Sequence, residues 1–340
     1  MKLNNLDTDN LIRFKGLDPN FMIHPTDKDA LDAIKQIPVL DIVLKKFLEY
    51  GFERFMYIQN IADNVRVSEK QCPRIYEMLT TACDVLEIEV PELYINQTPV
   101  ANAYTSGVNK PYIVIHSGIV ELLEDDEVYS VIAHELGHIK CNHVLYLTLA
   151  RFLAHIITVI GQSTFGLGNL LGSGLIMMLL EWSRKAEFSA DRAALLAVQN
   201  PDIITSVNMK MAGGCKAIYE QFDKEEFLKQ ADDYRELDKD TLSQIYKVLT
   251  IANMSHPHSI LRAREAHDWA KTEAFQEALK GNYPKTDHYC NSCHQSFTET
   301  FKFCPNCGAK NEKAEASCQN CQAKDQAGNN FCSVCGTKLT

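Results

Sequence analysis

The chain has 340 residues, 46% of them hydrophobic, enough to bury a full catalytic core and still carry small appendages. Its 44 acidic residues against 34 basic ones leave a net charge of −10, which favours solubility and argues against nucleic acid and other anionic partners. Residues 1–20 are polar without a continuous apolar run, so no signal peptide is expected.

In chain order, residues 25–90 carry apolar side chains at helical spacing, such as Leu31, Ile34 and Ile37 and then Val43, Leu44, Phe47 and Leu48. Several helices are predicted there, leading into strands near residues 92–116. Carboxylates over residues 121–127 suit a helix start. Val128, Val131, Ile132, Ala133, Leu136 and Ile139 then give that helix a broad apolar surface, predicting burial. On it stand His134, Glu135, Leu136, Gly137 and His138 in succession. A helix advances about 100° per residue, so the two imidazoles share a face one turn apart and can grip one metal ion. Glu135 projects beside them, within reach of a proton on the attacking water. Glu187 is the candidate third ligand, leaving a fourth position for water and substrate. Two His and a Glu on a buried helix need partners, and a metal satisfies all three. A metzincin is excluded, because Cys141 and Val144 stand where its Gly and third His belong. His143 lies five residues past His138, about 140° round an ideal helix, and is expected on a face away from the metal.

Residues 121–143, together with Glu187, Phe188, Ser189, Ala190 and Asp191, resemble the HtpX and CAAX-prenyl-protease family of gluzincins. The resemblance implies a zinc metalloendopeptidase acting on proteins or peptides, with a role in protein quality control. It makes His134, His138 and Glu187 the zinc ligands, Glu135 the general base, and Asp191 the group that orients His134 from behind. Glu187 and Asp191 are four residues apart and so share a helix face. Asn102, Ala103 and Tyr104, followed by the strand-like residues 111–116, resemble the edge strand flanking gluzincin clefts. Such a strand binds an extended peptide by main-chain hydrogen bonds, with Asn102 and Ala103 as substrate contacts. His256, Pro257 and Arg262 resemble the family's His-Pro…Arg segment. His256 and Arg262 are candidate oxyanion stabilisers, or His256 takes the fourth zinc position and holds the enzyme latent.

Residues 144–182 are hydrophobic. Thr148, Arg151, His155, Thr158 and Gln162 form one polar stripe on the first half, and Gly168, Asn169, Gly172 and Gly174 are expected to break the second. Neither half reaches the roughly 20 apolar residues a spanning helix needs. A helical hairpin packed on the catalytic domain and grazing a membrane surface is predicted, with a true membrane hairpin as the alternative. Residues 202–280 return to helix with a break at Gly213 and Gly214, and Gly281, Asn282, Tyr283 and Pro284 read as a linker.

Eight of the twelve cysteines fall in residues 290–340 as C-x-x-C pairs. Cys290, Cys293, Cys304 and Cys307 form one set; Cys318, Cys321, Cys332 and Cys335 form another, displaced by 28 positions. Phe303 and Phe331, Gly308 and Gly336, and Lys310 and Lys338 keep the same displacement, so this is an internal repeat. It resembles a double zinc ribbon with two structural zinc ions. Each ribbon is too small to fold on an apolar core, so metal binding and folding should be one event. Six Lys against five Asp or Glu over residues 285–340 leave no basic footprint, so a protein partner fits better than nucleic acid. Reduced thiols suit a reducing cytosol, and Cys72, Cys83, Cys141 and Cys215 read as buried free thiols.

The expectation is an α+β protein: a mainly helical zincin (gluzincin) catalytic domain with a small sheet, plus two zinc ribbons. Residues 1–90 form a helical lead-in, 91–280 the catalytic core with the hydrophobic hairpin, and 288–340 the ribbons. Its expected place is the cytoplasm, with peripheral contact to the cytoplasmic membrane. A scaffold in which the ribbons recruit partners and the first zinc site is structural or latent is the alternative.

Overall fold

Period-two alternation decides how the central sheet is built. In the computed structural model, which describes residues 2–4, 6–37, 40, 51–107, 110–151, 167–214, 216–251, 256–286, 316–317 and 324–325, strands β1 (Lys2–Leu3) and β2 (Leu6–Asp7) form a small hairpin. Helices α1 (Pro25–Lys35) and α2 (Phe52–Asp63) follow, then β3 (Val65–Arg66), α3 (Pro73–Leu86), β4 (Glu92–Asn96), β5 (Ala103–Ser106) and β6 (Tyr112–His116). The four-stranded sheet has the order β3-β4-β6-β5, with β4 and β6 parallel and the outer pairs antiparallel. Ile113 and Ile115 of β6 join the main core, while Tyr112 and Val114 turn to a tyrosine cluster on the other face. An apolar strand covered on both faces belongs in the middle of a sheet. Residues 111–116 are therefore not the expected edge: that position is held by β5.

The site is carried by helices α4 (Ser117–Leu122), α5 (Asp125–Lys140), α6 (Leu167–Val198), α7 (Pro201–Gly213), α8 (Lys224–Glu236), α9 (Thr241–Ile251), α10 (Ser259–Ala270) and α11 (Glu273–Ala278). The carboxylate run over residues 121–127 does not open one helix. The chain breaks after α4, and α5 begins with a capping box in which Glu124 and Glu127 each accept the other's backbone N–H. Both α3 and α5 pack into the main core, and α5 is buried along most of its length. The glycines of residues 168–174 do not end a helix either: α6 continues through them to Val198. From Leu175 onward it packs with α1 and the helical residues 144–151 in a second core built on Leu149, Leu179 and Trp182. Residues 152–166 of the expected hairpin lie outside the described residues. Among the described residues, no helix is long and apolar enough to cross a membrane.

The chain divides into two units, residues 1–285 and 286–340. In the second, β7 (Ala316–Ser317) pairs antiparallel with β8 (Lys324–Asp325). All eight ribbon cysteines, and Cys215, lie outside the described residues. Cys83 and Cys141 are buried free thiols and Cys72 is half-buried.

Helix α5 meets α6 at Gly137. A Cβ built there would stand 2.6 Å from the Ala193 Cβ and 3.0 Å from the Ala190 Cα. Gly137→Ala should therefore push the helices apart, lowering stability by about 1–3 kcal/mol in chemical denaturation and weakening zinc binding with it. An unchanged denaturation midpoint would contradict this packing.

Candidate metal centre

His134 and His138 stand one turn apart on α5, both buried. Their Nε2 atoms converge on Glu187 of α6: His134 Nε2 is 3.3 Å from Oε2, and His138 Nε2 is 3.4 Å from Oε1. Ligand atoms of these three side chains all lie within 4.8 Å of one another, the cluster of this kind found among the described residues. Glu187 Oε2 is buried and has no hydrogen-bond partner among the described residues. His256 Nδ1 approaches it to 2.9 Å, but neither atom makes a hydrogen bond. Two imidazole nitrogens and an orphaned carboxylate oxygen facing one point are the donor set of a zinc site with an open position.

Residues 69–270 match the signature described as Peptidase family M48. The chain belongs to this family. It is 38% identical over 269 residues to plastoglobule-localized metallopeptidase 48, chloroplastic, of Arabidopsis thaliana, covering 78% of this chain and 77% of that protein. It is 30% identical over 169 residues to the protease HtpX homolog 2 of Methanosarcina mazei, covering 43% of this chain and 58% of that one. The protease HtpX homolog of Moorella thermoacetica is 27% identical over 195 residues, 50% of this chain and 65% of that one. The chain thus spans less than two thirds of these HtpX homologues. No solved structure matches it. The M48 peptidase is a zinc metalloprotease.

Behind these three side chains, buried charges face one another. Asp191, one turn past Glu187 on α6, accepts from His134 Nδ1 at 3.0 Å. Arg262 of α10 donates to both Asp191 oxygens, Nε at 2.9 Å and a terminal nitrogen at 2.6 Å, and reaches to 3.3 Å from Glu187 Oε2. Burial raises the Glu187 pKa, but His256, Arg262 and the two facing imidazoles hold it well below the usual range. Asp191 is also opposed by burial, and Arg262 and His134 bring it down to about 2. Burial and Arg262 disfavour a charged His134, yet Asp191 and Glu187 outweigh them and raise it to about 9. His138 is lowered, chiefly by burial.

The general-base candidate, Glu135, is buried, and the Thr105 hydroxyl donates to its Oε2 at 2.7 Å and to its backbone carbonyl at 3.1 Å. No sequence motif marks Thr105; only strand alternation, which puts it on the same side of β5 as Ala103, could have suggested it. Asn102, Ala103, Glu135, Glu187, His256 and Arg262 all line one cleft of about 430 Å³. Asn102 also extends the sheet, its carbonyl accepting from the His116 N–H at 2.9 Å. His258 is the N-cap of α10 and meets the Tyr234 ring edge to face.

His143 corrects the expectation from ideal helical geometry. Helix α5 stops at Lys140, and Asn142 adopts a left-handed conformation with φ of 60°. The Asn142 N–H then bonds to the Ile139 carbonyl and the His143 N–H to the His138 carbonyl, a Schellman closure. It turns His143 back over His138, where it is buried rather than on an outer face.

A ligand imidazole must be unprotonated, so zinc uptake near pH 7 should release about one proton from His134. Affinity at this site should rise with pH and level off near 9, the raised value of His134. Calorimetry in buffers of different ionisation enthalpy, taken as the difference between wild type and His134→Ala, measures that proton.

Proposed function

We propose that the protein is a zinc-dependent endopeptidase that binds extended protein segments along β5 and hydrolyses them with Glu135 as general base. The observation that carries this is the convergence of His134, His138 and the orphaned Glu187 oxygen on one point of a cleft that Glu135 and β5 also line. His134, His138 and Glu187 would hold the ion. Zinc bound there supplies Lewis acidity to a carbonyl and makes water acidic enough to deprotonate near neutral pH.

This chain's own residues do the rest. Glu135 takes the proton of the attacking water and returns it to the leaving amine. Thr105 holds its carboxylate in one orientation. Asp191 fixes the His134 tautomer so that Nε2 keeps its lone pair for the metal. Arg262 spends two donors on Asp191 and so positions it. His256 is left as the group on the cleft wall that can donate to the developing oxyanion. The β5 edge, with Asn102 and Ala103 at its start, offers main-chain hydrogen bonds, which give affinity with little side-chain preference.

The Cys290, Cys293, Cys304 and Cys307 set and the Cys318, Cys321, Cys332 and Cys335 set each hold a structural zinc ion. Their paired spacing supports this, and their near-neutral surroundings favour a protein partner. A cytoplasmic location suits thiolate ligands. Peripheral membrane contact has an apolar footing in Met177 and Met178, 61% and 42% exposed.

Glu135→Gln should keep its zinc and lose turnover of an unfolded protein substrate by at least about a hundredfold. Metal analysis with casein digestion checks both; equal digestion by the variant would refute the mechanism, and full zinc with no cleavage by wild type would favour a scaffold. His256→Ala should lower turnover about tenfold or more if the ring donates to the oxyanion. A rise in its activity would instead mean that His256 blocks the fourth metal position.

A further inference from the structure

A hydrogen-bonded line runs behind His138 and takes no part in ligation or proton transfer. His138 Nδ1 lies 3.1 Å from His143 Nδ1, and His143 Nε2 lies 3.0 Å from Asp27 Oδ2. The three residues are 2%, 1% and 1% exposed, so water cannot substitute for a missing partner. That closes the proton arrangement. His138 Nε2 faces Glu187, so a metal ion takes its lone pair and the proton stays on Nδ1. This N–H needs an acceptor, and His143 Nδ1 can accept only if the His143 proton sits on Nε2. The Nε2–H then donates to Asp27.

Asp27 is itself held from two further sides. Trp182 Nε1 donates to Oδ1 at 2.8 Å, and the Ser189 hydroxyl donates to Oδ2 at 2.5 Å. Ser189 in turn accepts the His24 backbone N–H at 2.8 Å. Burial raises the Asp27 pKa, but His143, Ser189 and Trp182 together keep it below the ordinary carboxylate range, as an acceptor-only anion requires. One proton assignment satisfies every donor in the line.

We infer that His143 and Asp27 are positioning residues of the metal centre: they fix the tautomer and ring plane of His138, as Asp191 does directly for His134. Asp27 belongs to α1, outside the residues 69–270 that carry the family signature. The N-terminal helix therefore completes the metal site rather than merely covering it. Ser189 ties this support to the ligand segment, because it lies between Glu187 and Asp191 on α6.

The inference rests on His134, His138 and Glu187 holding the ion, and the test separates the two. Zinc affinity of the full chain is measured by competition with a chromophoric chelator, and the ion lost in His134→Ala defines this site. His143→Phe should weaken that ion about tenfold to a hundredfold, the usual cost of removing such support, and Asp27→Asn severalfold. The double variant should be no weaker than His143→Phe alone, because Asp27 acts through His143. His143→Gln, whose amide can accept in the same place, should recover part of the affinity. Melting of the metal-free proteins accompanies each measurement. If His143→Phe does not fold, His143→Gln and Asp27→Asn carry the comparison. Wild-type zinc affinity in folded His143 and Asp27 variants would overturn the positioning role. Failure of His134→Ala to lose any ion would instead overturn the ligand assignment itself.

Discussion

Gly137 carries no side chain, and the helix that contains it approaches Ala190 and Ala193 more closely than a Cβ would allow. Small residues on both helices let the backbones come together. This contact sets the distance between the imidazoles of α5 and the carboxylate of α6. His134 and His138 lie on either side of Gly137 in sequence, and Glu187 and Asp191 on either side of Ala190. A pair of helices held apart by one methyl group would carry the same residues without the same site.

Close packing buries charge, and the carboxylates behind the metal-facing side chains have partners. An isolated carboxylate in such surroundings would take up a proton rather than stay ionised. Asp191 remains an anion through a two-point contact with Arg262, and Asp27 through Trp182, Ser189 and His143. Glu187 has an oxygen with no such hydrogen bond among the described residues. The supporting shell is thus satisfied, while the group that faces the cleft keeps an unspent acceptor. Such a division would keep the proposed ligands rigid and leave their metal-facing atoms available.

The β5 side of the cleft has a different origin. Strand β6 is apolar on both faces and becomes central, which leaves β5 at the edge of the sheet, with Thr105 of that strand against α5. An edge strand is normally a hazard because its backbone groups recruit other chains. Here Thr105 from that strand hydrogen-bonds the Glu135 carboxylate. In the proposed mechanism, substrate recognition and proton transfer would meet on one short strand.

Local periodicity made a large part of this legible in the amino-acid order. The spacing of His134 and His138, the side-by-side Glu135, and the common face of Glu187 and Asp191 follow from a 3.6-residue turn, which any helix imposes without reference to its neighbours. The C-x-x-C repeat is read from spacing alone, and its cysteines lie outside the described residues. Thr105, Asp27 and the inward turn of His143 were not legible. The first two reach the site across long stretches of chain, and the third depends on where α5 stops and how Asn142 closes it. Residues 168–174 misled in the opposite sense, since a helix packed on its C-terminal side tolerates glycines that propensity alone would count against it. Sequence by itself determined which residues could ligate zinc and move a proton, because those rules act within one turn of helix. Tertiary structure alone decided which strand is the edge, how near α6 comes to α5, and which distant side chains fix the imidazoles, because these depend on packing between segments that share no periodicity.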